Sequence, residues 1–247
     1  MSTRLASFAL AAALLVLPAG AAPAAATTLP LTGVIIALDP GHNGGNASYP
    51  SLISKLVFIG NGWKACNTVG TTTRTGYPEH RFNYYVALRV KARLEALGAT
   101  VAMTRTSDTG VGPCVDVRGK FGAKVHAALL LSIHGDGAPI AYHGFTVMRP
   151  GLVAGYTDDI VTSSARLAYN VRDGLKASGY TVANYYGTNG LKVRTDLGTL
   201  NMSDVPAIMV ELGNMKNSTD AGRMTTWSGR DHYAAALVGG LRRFLGR

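Results

Sequence analysis

Apolar residues along this chain fall into two rhythms. Short unbroken runs rich in β-branched and aliphatic side chains occur at residues 34–38, 99–103, 128–133, 144–148 and 207–210. Runs of that length, bounded by glycine, proline and asparagine, read as buried strands. Between the first two, Phe82, Val86, Val90, Leu94 and Leu97 recur at helical spacing and Gly98 closes the stripe. Further helices are predicted over residues 115–127 and 157–178, and a closing one over 231–245. The second of these opens at Thr157 with Asp158 and Asp159 in its first turn and ends at Gly179. In the closing helix, Arg242, Arg243 and Arg247 stand near the carboxyl end, where cations are favoured. Residues 191–196 suggest one more short strand. Strand–helix–strand order implies parallel crossovers, hence an α/β fold: a single domain with a mostly parallel twisted sheet and helices on both faces.

The amino terminus changes the compartment. A basic start at Arg4, an apolar run over residues 5–17 and small residues ending Ala24-Ala25-Ala26 describe a secretory signal peptide, residues 1–26. The apolar run is too short to be a comfortable membrane span, so no lasting anchor is expected. The mature chain, residues 27–247, shows no repeat and no linker. Export makes the two cysteines, Cys66 and Cys114, a bridged pair rather than free thiols, worth about 4 kcal/mol through loop-closure entropy. The net charge is +10, or +9 without Arg4, which suits polyanions such as wall polymers. Nucleic acid is not expected: there is no dense Lys/Arg run, no finger spacing and no aromatic–basic interleaving.

The chemistry gathers where strands end. The first strand breaks at Asp39-Pro40-Gly41 and delivers His42. The 128–133 run leads into His134, and the 207–210 run into Glu211. Glu79 stands at the start of the first long helix, after a long loop of little periodicity over residues 43–77. Parallel strands bring their carboxyl ends to one rim. Two histidines and a carboxylate there form a common catalytic zinc shell that leaves a position for water, and a further carboxylate is wanted as general base and acid. The chain offers both carboxylates, and the residues alone leave their roles interchangeable. His80, His126, His143 and His232 read as structural or surface residues, with His80 the alternative ligand.

These segments resemble a family. Residues 36–42 (IALDPGH), Glu79 at a helix start, residues 131–136 (LSIHGD) and residues 206–214 (PAIMVELGN) are similar, in order, to the zinc-dependent N-acetylmuramoyl-L-alanine amidases of the amidase-3 type. The resemblance implies zinc on His42, Glu79 and His134, with Glu211 as the catalytic carboxylate. It also implies cleavage of the amide between N-acetylmuramic acid and the L-alanine of the stem peptide in peptidoglycan. A small exported monomer in the periplasm or cell wall is expected, acting on peptidoglycan or muramoyl-peptide fragments. Gly135 departs from the alanine more usual in the family. No helical insert able to plug the cleft is evident between His143 and Leu191. Lys192, Arg194 and Asn214 are candidate substrate contacts, although charges on a short edge strand also serve as solvated protection. Another zinc-dependent wall-peptide hydrolase, a carboxypeptidase or endopeptidase, would use the same shell. A non-catalytic wall-binding protein would have no need to keep all four residues.

Overall fold

The computed structural model describes residues 28–247, together with residues 1 and 3. The signal peptide expected over residues 1–26 therefore lies almost wholly outside the described residues. The chain runs β1 (Ile35–Pro40), α1 (Pro50–Ile53), β2 (Leu56–Phe58), β3 (Trp63–Ala65), α2 (Glu79–Ala96) and β4 (Thr100–Met103). It continues through α3 (Val115–Lys124), β5 (Leu130–Asp136), β6 (Thr146–Pro150), α4 (Val161–Ala177), β7 (Leu191–Arg194) and α5 (Gly198–Asn201). It ends with β8 (Ala207–Asn214), α6 (Ser218–Thr225) and α7 (Trp227–Leu245). Six strands form one sheet in the order β4-β1-β5-β8-β6-β7, and β2 and β3 form a separate hairpin.

Strands β4, β1, β5 and β8 are mutually parallel, while β6 runs antiparallel to β8 and parallel to β7. The α/β, mostly parallel architecture expected from the sequence is the one observed. Because both faces are covered, the strands read as continuous apolar runs. Ile36, Leu38, Leu131, Ile133, Ile208 and Val210 point to the face packed by α2, α4 and α7. Ala37, Leu130, Ala207 and Met209 point to the opposite face, against α3 and α5.

Several boundaries differ from the sequence reading for physical reasons. β1 continues through Pro40 because β4 pairs only as far as Leu38. Beyond that point the strand has a neighbour on the β5 side alone, and proline's missing donor is tolerated. Thr157 does not cap a helix. Its hydroxyl donates to Gly151 O (2.8 Å) and accepts from Val153 N–H (2.7 Å), closing a loop, and α4 starts only at Val161. The closing helix begins at Trp227, where the Thr226 hydroxyl accepts from Gly229 N–H (3.2 Å). α1, α5, α6 and the β2–β3 hairpin carry no apolar periodicity and were not foreseen. Cys66 and Cys114 stand at disulfide distance, with S–S 2.04 Å and Cα–Cα 4.4 Å, pinning the base of the hairpin to the start of α3.

Candidate metal centre

β1, β5 and β8 lie side by side, so the residues at their carboxyl ends share one rim. His134 and Glu211 lie in the carboxyl-terminal halves of β5 and β8, directly paired in register, and His42 follows β1 by two residues. Glu79 opens α2, with Pro78 as its N-cap. The ligand atoms of His42, Glu79 and His134 all lie within 4.8 Å of one another, the one such cluster among the described residues. Glu79 Oε1 is the hub, 3.1 Å from His42 Nε2 and 3.0 Å from His134 Nδ1.

His42 and Glu79 are each aimed by a partner outside the cluster. His42 Nδ1 donates to Thr68 O (3.0 Å), which fixes the tautomer and leaves Nε2 free as a ligand. The other Glu79 oxygen, Oε2, accepts from Thr71 N–H (2.9 Å). Asn83 Nδ2 reaches both Glu79 Oε1 (3.3 Å) and Gly41 O (3.2 Å). His42 occupies the left-handed region at φ 58°, a conformation non-glycine residues hold only where their surroundings impose it. Gly41 is required by crowding: a Cβ there would lie 2.1 Å from the His134 ring.

Beneath the turn lies a buried polar cluster that the sequence reading did not contain. Arg118 donates to Asp39, to the carbonyls of Pro40 (2.9 Å), His42 (3.0 Å) and Pro113 (2.9 Å), and to Asn43 Oδ1 (2.6 Å). Arg105 holds Pro40 O (2.9 Å) and Gly41 O (3.3 Å) from the other side. Burial alone would raise the Asp39 carboxyl. The Arg118 guanidinium and the hydroxyls of Thr104 and Ser132 outweigh it and hold the carboxyl below the usual carboxylate range. The signal for this cluster was Asp39 itself, a charge within an apolar strand that demands a cation. His80, the alternative ligand, is turned away to Asp108 (2.9 Å), which also pairs with Arg105.

Glu211 differs from Glu79 in every respect that matters chemically. It borders the cleft, yet its Oε2 is shut off from solvent with no hydrogen-bond partner. Burial, the Glu79 carboxylate and Asp136 together push its carboxyl well above the ordinary range, with Arg194 opposing weakly. Glu79 is the reverse: burial works against its charge, but His42 and His134 pull its carboxyl well below the ordinary range. Two carboxylates at one site thus have their proton affinities pushed apart. His42, His134 and Glu211 border two clefts that meet at the cluster. One, of about 310 Å³, extends towards Lys64, Asp196, Thr199 and Met209. The other, of about 360 Å³, extends over Thr68, Val69, Thr71 and Gly137.

The candidate substrate contacts fare differently. Asn214 is a correction: it is fully buried, and all its polar capacity is spent internally. It donates to Pro139 O (3.0 Å) and Tyr142 O (2.8 Å), and accepts from Ala138 N–H (3.1 Å) and Lys216 N–H (2.9 Å). It is a peg for the 138–142 loop. Arg194 forms a two-pronged pair with Asp196 (2.6 and 2.8 Å) and donates to Tyr186 OH (2.7 Å). Lys192 is exposed over the Tyr186 ring at 5.4 Å.

A sheet that gathers two imidazoles and a carboxylate at one rim, with a second carboxyl of raised proton affinity beside them, has the donor set of a hydrolytic metalloenzyme. The pattern of the N-acetylmuramoyl-L-alanine amidase family matches residues 36–243. The amidase Rv3717 of Mycobacterium tuberculosis is 42% identical over 237 residues, which cover 93% of this chain and 95% of the relative. The crystal structure of the amidase Ami1 from Mycobacterium smegmatis superposes with a TM-score of 0.83 at 41% identity, covering 87% of this chain and 98% of that one. AmiC2 of Nostoc punctiforme, at 21% identity and a TM-score of 0.65, covers 87% of this chain and 99% of its own and shares the fold. The chain belongs to the N-acetylmuramoyl-L-alanine amidase family, and it is an enzyme, an amidase.

Proposed function

We propose that the mature enzyme, freed of a signal peptide over residues 1–26, works outside the cytoplasm as a monomer on peptidoglycan. It cleaves the amide joining N-acetylmuramic acid to the L-alanine of the stem, with zinc held by His42 Nε2, Glu79 and His134 Nδ1. The observation that carries the reading is the convergence of these three donors, with His42 and Glu79 aimed by neighbours, beside a carboxyl with an unpartnered oxygen. Zinc in such a shell lowers the pKa of water and polarises a carbonyl.

The chain's own residues supply the remaining needs. Glu211, its proton affinity raised, takes a proton from the attacking water and returns it to the departing L-alanine nitrogen, which cannot leave as an amide anion. Glu79, its charge held by two imidazoles, stays a ligand. Thr68 and Asn83 keep the ligand atoms in place, and the buried Arg118 and Arg105 fix the turn that carries His42. Arg194, whose charge bears on Glu211, and the exposed Lys192 two residues before it on β7 are proposed to draw in the stem carboxylates.

Product identification on a defined muramoyl-peptide tests the reading. The expected products are a free L-alanine amine and a muramic acid carboxylate, abolished by chelation and restored by zinc. Release of a carboxy-terminal residue, or a cut inside the stem, would assign the same shell to a carboxypeptidase or endopeptidase.

A further inference from the structure

The β2–β3 hairpin beside the cleft carries a stripe of exposed apolar side chains. Its register sets Leu56 opposite Ala65 and Phe58 opposite Trp63, so that these four share one face. Ala65 lines the cleft next to the metal cluster. Outward from it, Trp63 is 65% exposed and Phe58 38%. Their rings meet edge-on at 5.5 Å, and Phe58 meets Tyr156 at 5.9 Å. The stripe therefore begins in the cleft and runs away from it.

Folding does not require this exposure. Two three-residue strands bury no core of their own, and an indole left in water forgoes the stabilisation of burial. Exposed apolar patches of this kind mark interaction sites. The hairpin is also held firmly. Asn61 Nδ2 donates to Thr195 O (2.7 Å), Asn201 Nδ2 donates to Ile59 O (3.0 Å), and the cysteine pair pins its base. A platform already ordered loses little entropy when a ligand settles on it.

We propose that Trp63, seated against Phe58, is a stacking platform for a pyranose ring of the glycan strand that bears the scissile amide. The inference rests on the amidase reading of the neighbouring site. A pyranose presents an apolar C–H face with a hydroxyl rim. It meets here an aromatic face beside the turn that carries the exposed, polar Asn61. An anionic membrane surface is the poorer match, because Lys64 lies on the opposite face of the hairpin and pairs with Asp196 (3.5 Å). The stripe itself carries no cation.

The test uses the zinc-loaded mature chain and its Trp63→Ala and Trp63→Tyr variants. Substrates are soluble glycan strands bearing stems and a single-sugar muramoyl-dipeptide. Trp63→Ala is expected to raise KM for strands about tenfold more than for the single-sugar substrate, equivalent to ~1.4 kcal/mol. The effect should fall on KM rather than kcat, and Trp63→Tyr should recover most of it. Trp63 is one of two tryptophans. In a Trp227→Phe background its fluorescence should respond saturably to peptide-free glycan oligosaccharides. An unchanged KM for strands, an equal loss on both substrates, or a silent fluorescence titration overturns the proposal. So does a Trp63→Ala effect confined to vesicle binding or self-association, which would give the stripe to a membrane or a second copy. If neither substrate is cut by the unmutated enzyme, the amidase reading has failed, and the fluorescence titration still decides the sugar platform.

Discussion

Replacing Arg118 by methionine should unsettle the enzyme more than any change to an exposed charge. The side chain is 2% exposed and spends its donors on one carboxylate, three carbonyls and an amide oxygen. Methionine fills much of the volume but leaves Asp39, itself 1% exposed, as a buried charge with only the Thr104 and Ser132 hydroxyls. Breaking a buried pair on one side costs about 3–5 kcal/mol. In a domain of this size that lowers Tm by about 6–20 °C. The pH dependence gives the mechanism away. In the parent protein the Asp39 carboxyl is held below its unfolded value of 3.8, so its contribution is present above that value and fades as pH falls through the folded pKa. Without Arg118, burial wins and the carboxyl rises above the unfolded value. It then destabilises the fold at neutral pH, and that penalty disappears on acidification. Thermal unfolding at pH 7 and pH 4.5 should therefore show the gap between parent and variant narrowing in acid. The double variant Asp39→Asn, Arg118→Met should be more stable at pH 7 than Arg118→Met alone. A gap below about 1 kcal/mol, or one equal at both pH values, would refute the reasoning.

Gly41→Ala forces a methyl to within 2.1 Å of the His134 ring, so zinc affinity should fall by about 10- to 100-fold in a competitive chelator titration. Unchanged retention would mean that the ring moves aside freely. Asn214→Ala strands the carbonyls of Pro139 and Tyr142, and chemical denaturation should register a loss of about 1–3 kcal/mol. Its effect on KM should be no greater than that stability loss explains, in keeping with a peg rather than a substrate contact. Cys66→Ser with Cys114→Ser should lower stability by about 4 kcal/mol. In hydrogen exchange, the hairpin amides should open well before those of the central sheet, and uniform exposure would contradict a local role for the bridge.

What was legible in the sequence was whatever depends on burial. The strands announced themselves because both faces of the sheet are covered. His42, His134 and Glu211 stood out because each follows or ends such a run, where an unpartnered polar group is costly. Elements that bury little were silent: the hairpin leaves four of its six strand residues exposed, and α6 is built from polar ones around its Asn217 cap. The clamp of Arg105 and Arg118 was hidden for another reason. Asp39 in an apolar strand demanded a cation, but nothing local to it selects among the 24 lysines and arginines. Asn214 was misjudged because proximity to Glu211 along the chain says nothing about which way a side chain turns after a strand.

The most direct measurement of the central claim pairs zinc occupancy with turnover in Glu211→Gln and Glu79→Gln. The account predicts that Glu211→Gln keeps its zinc and its fold while losing about 100-fold or more in kcat, the scale of general acid–base work. Glu79→Gln should instead bind zinc weakly, because a neutral amide is a poor substitute for the carboxylate at the hub of the cluster. Zinc lost from Glu211→Gln and retained by Glu79→Gln would exchange the two roles and contradict the account.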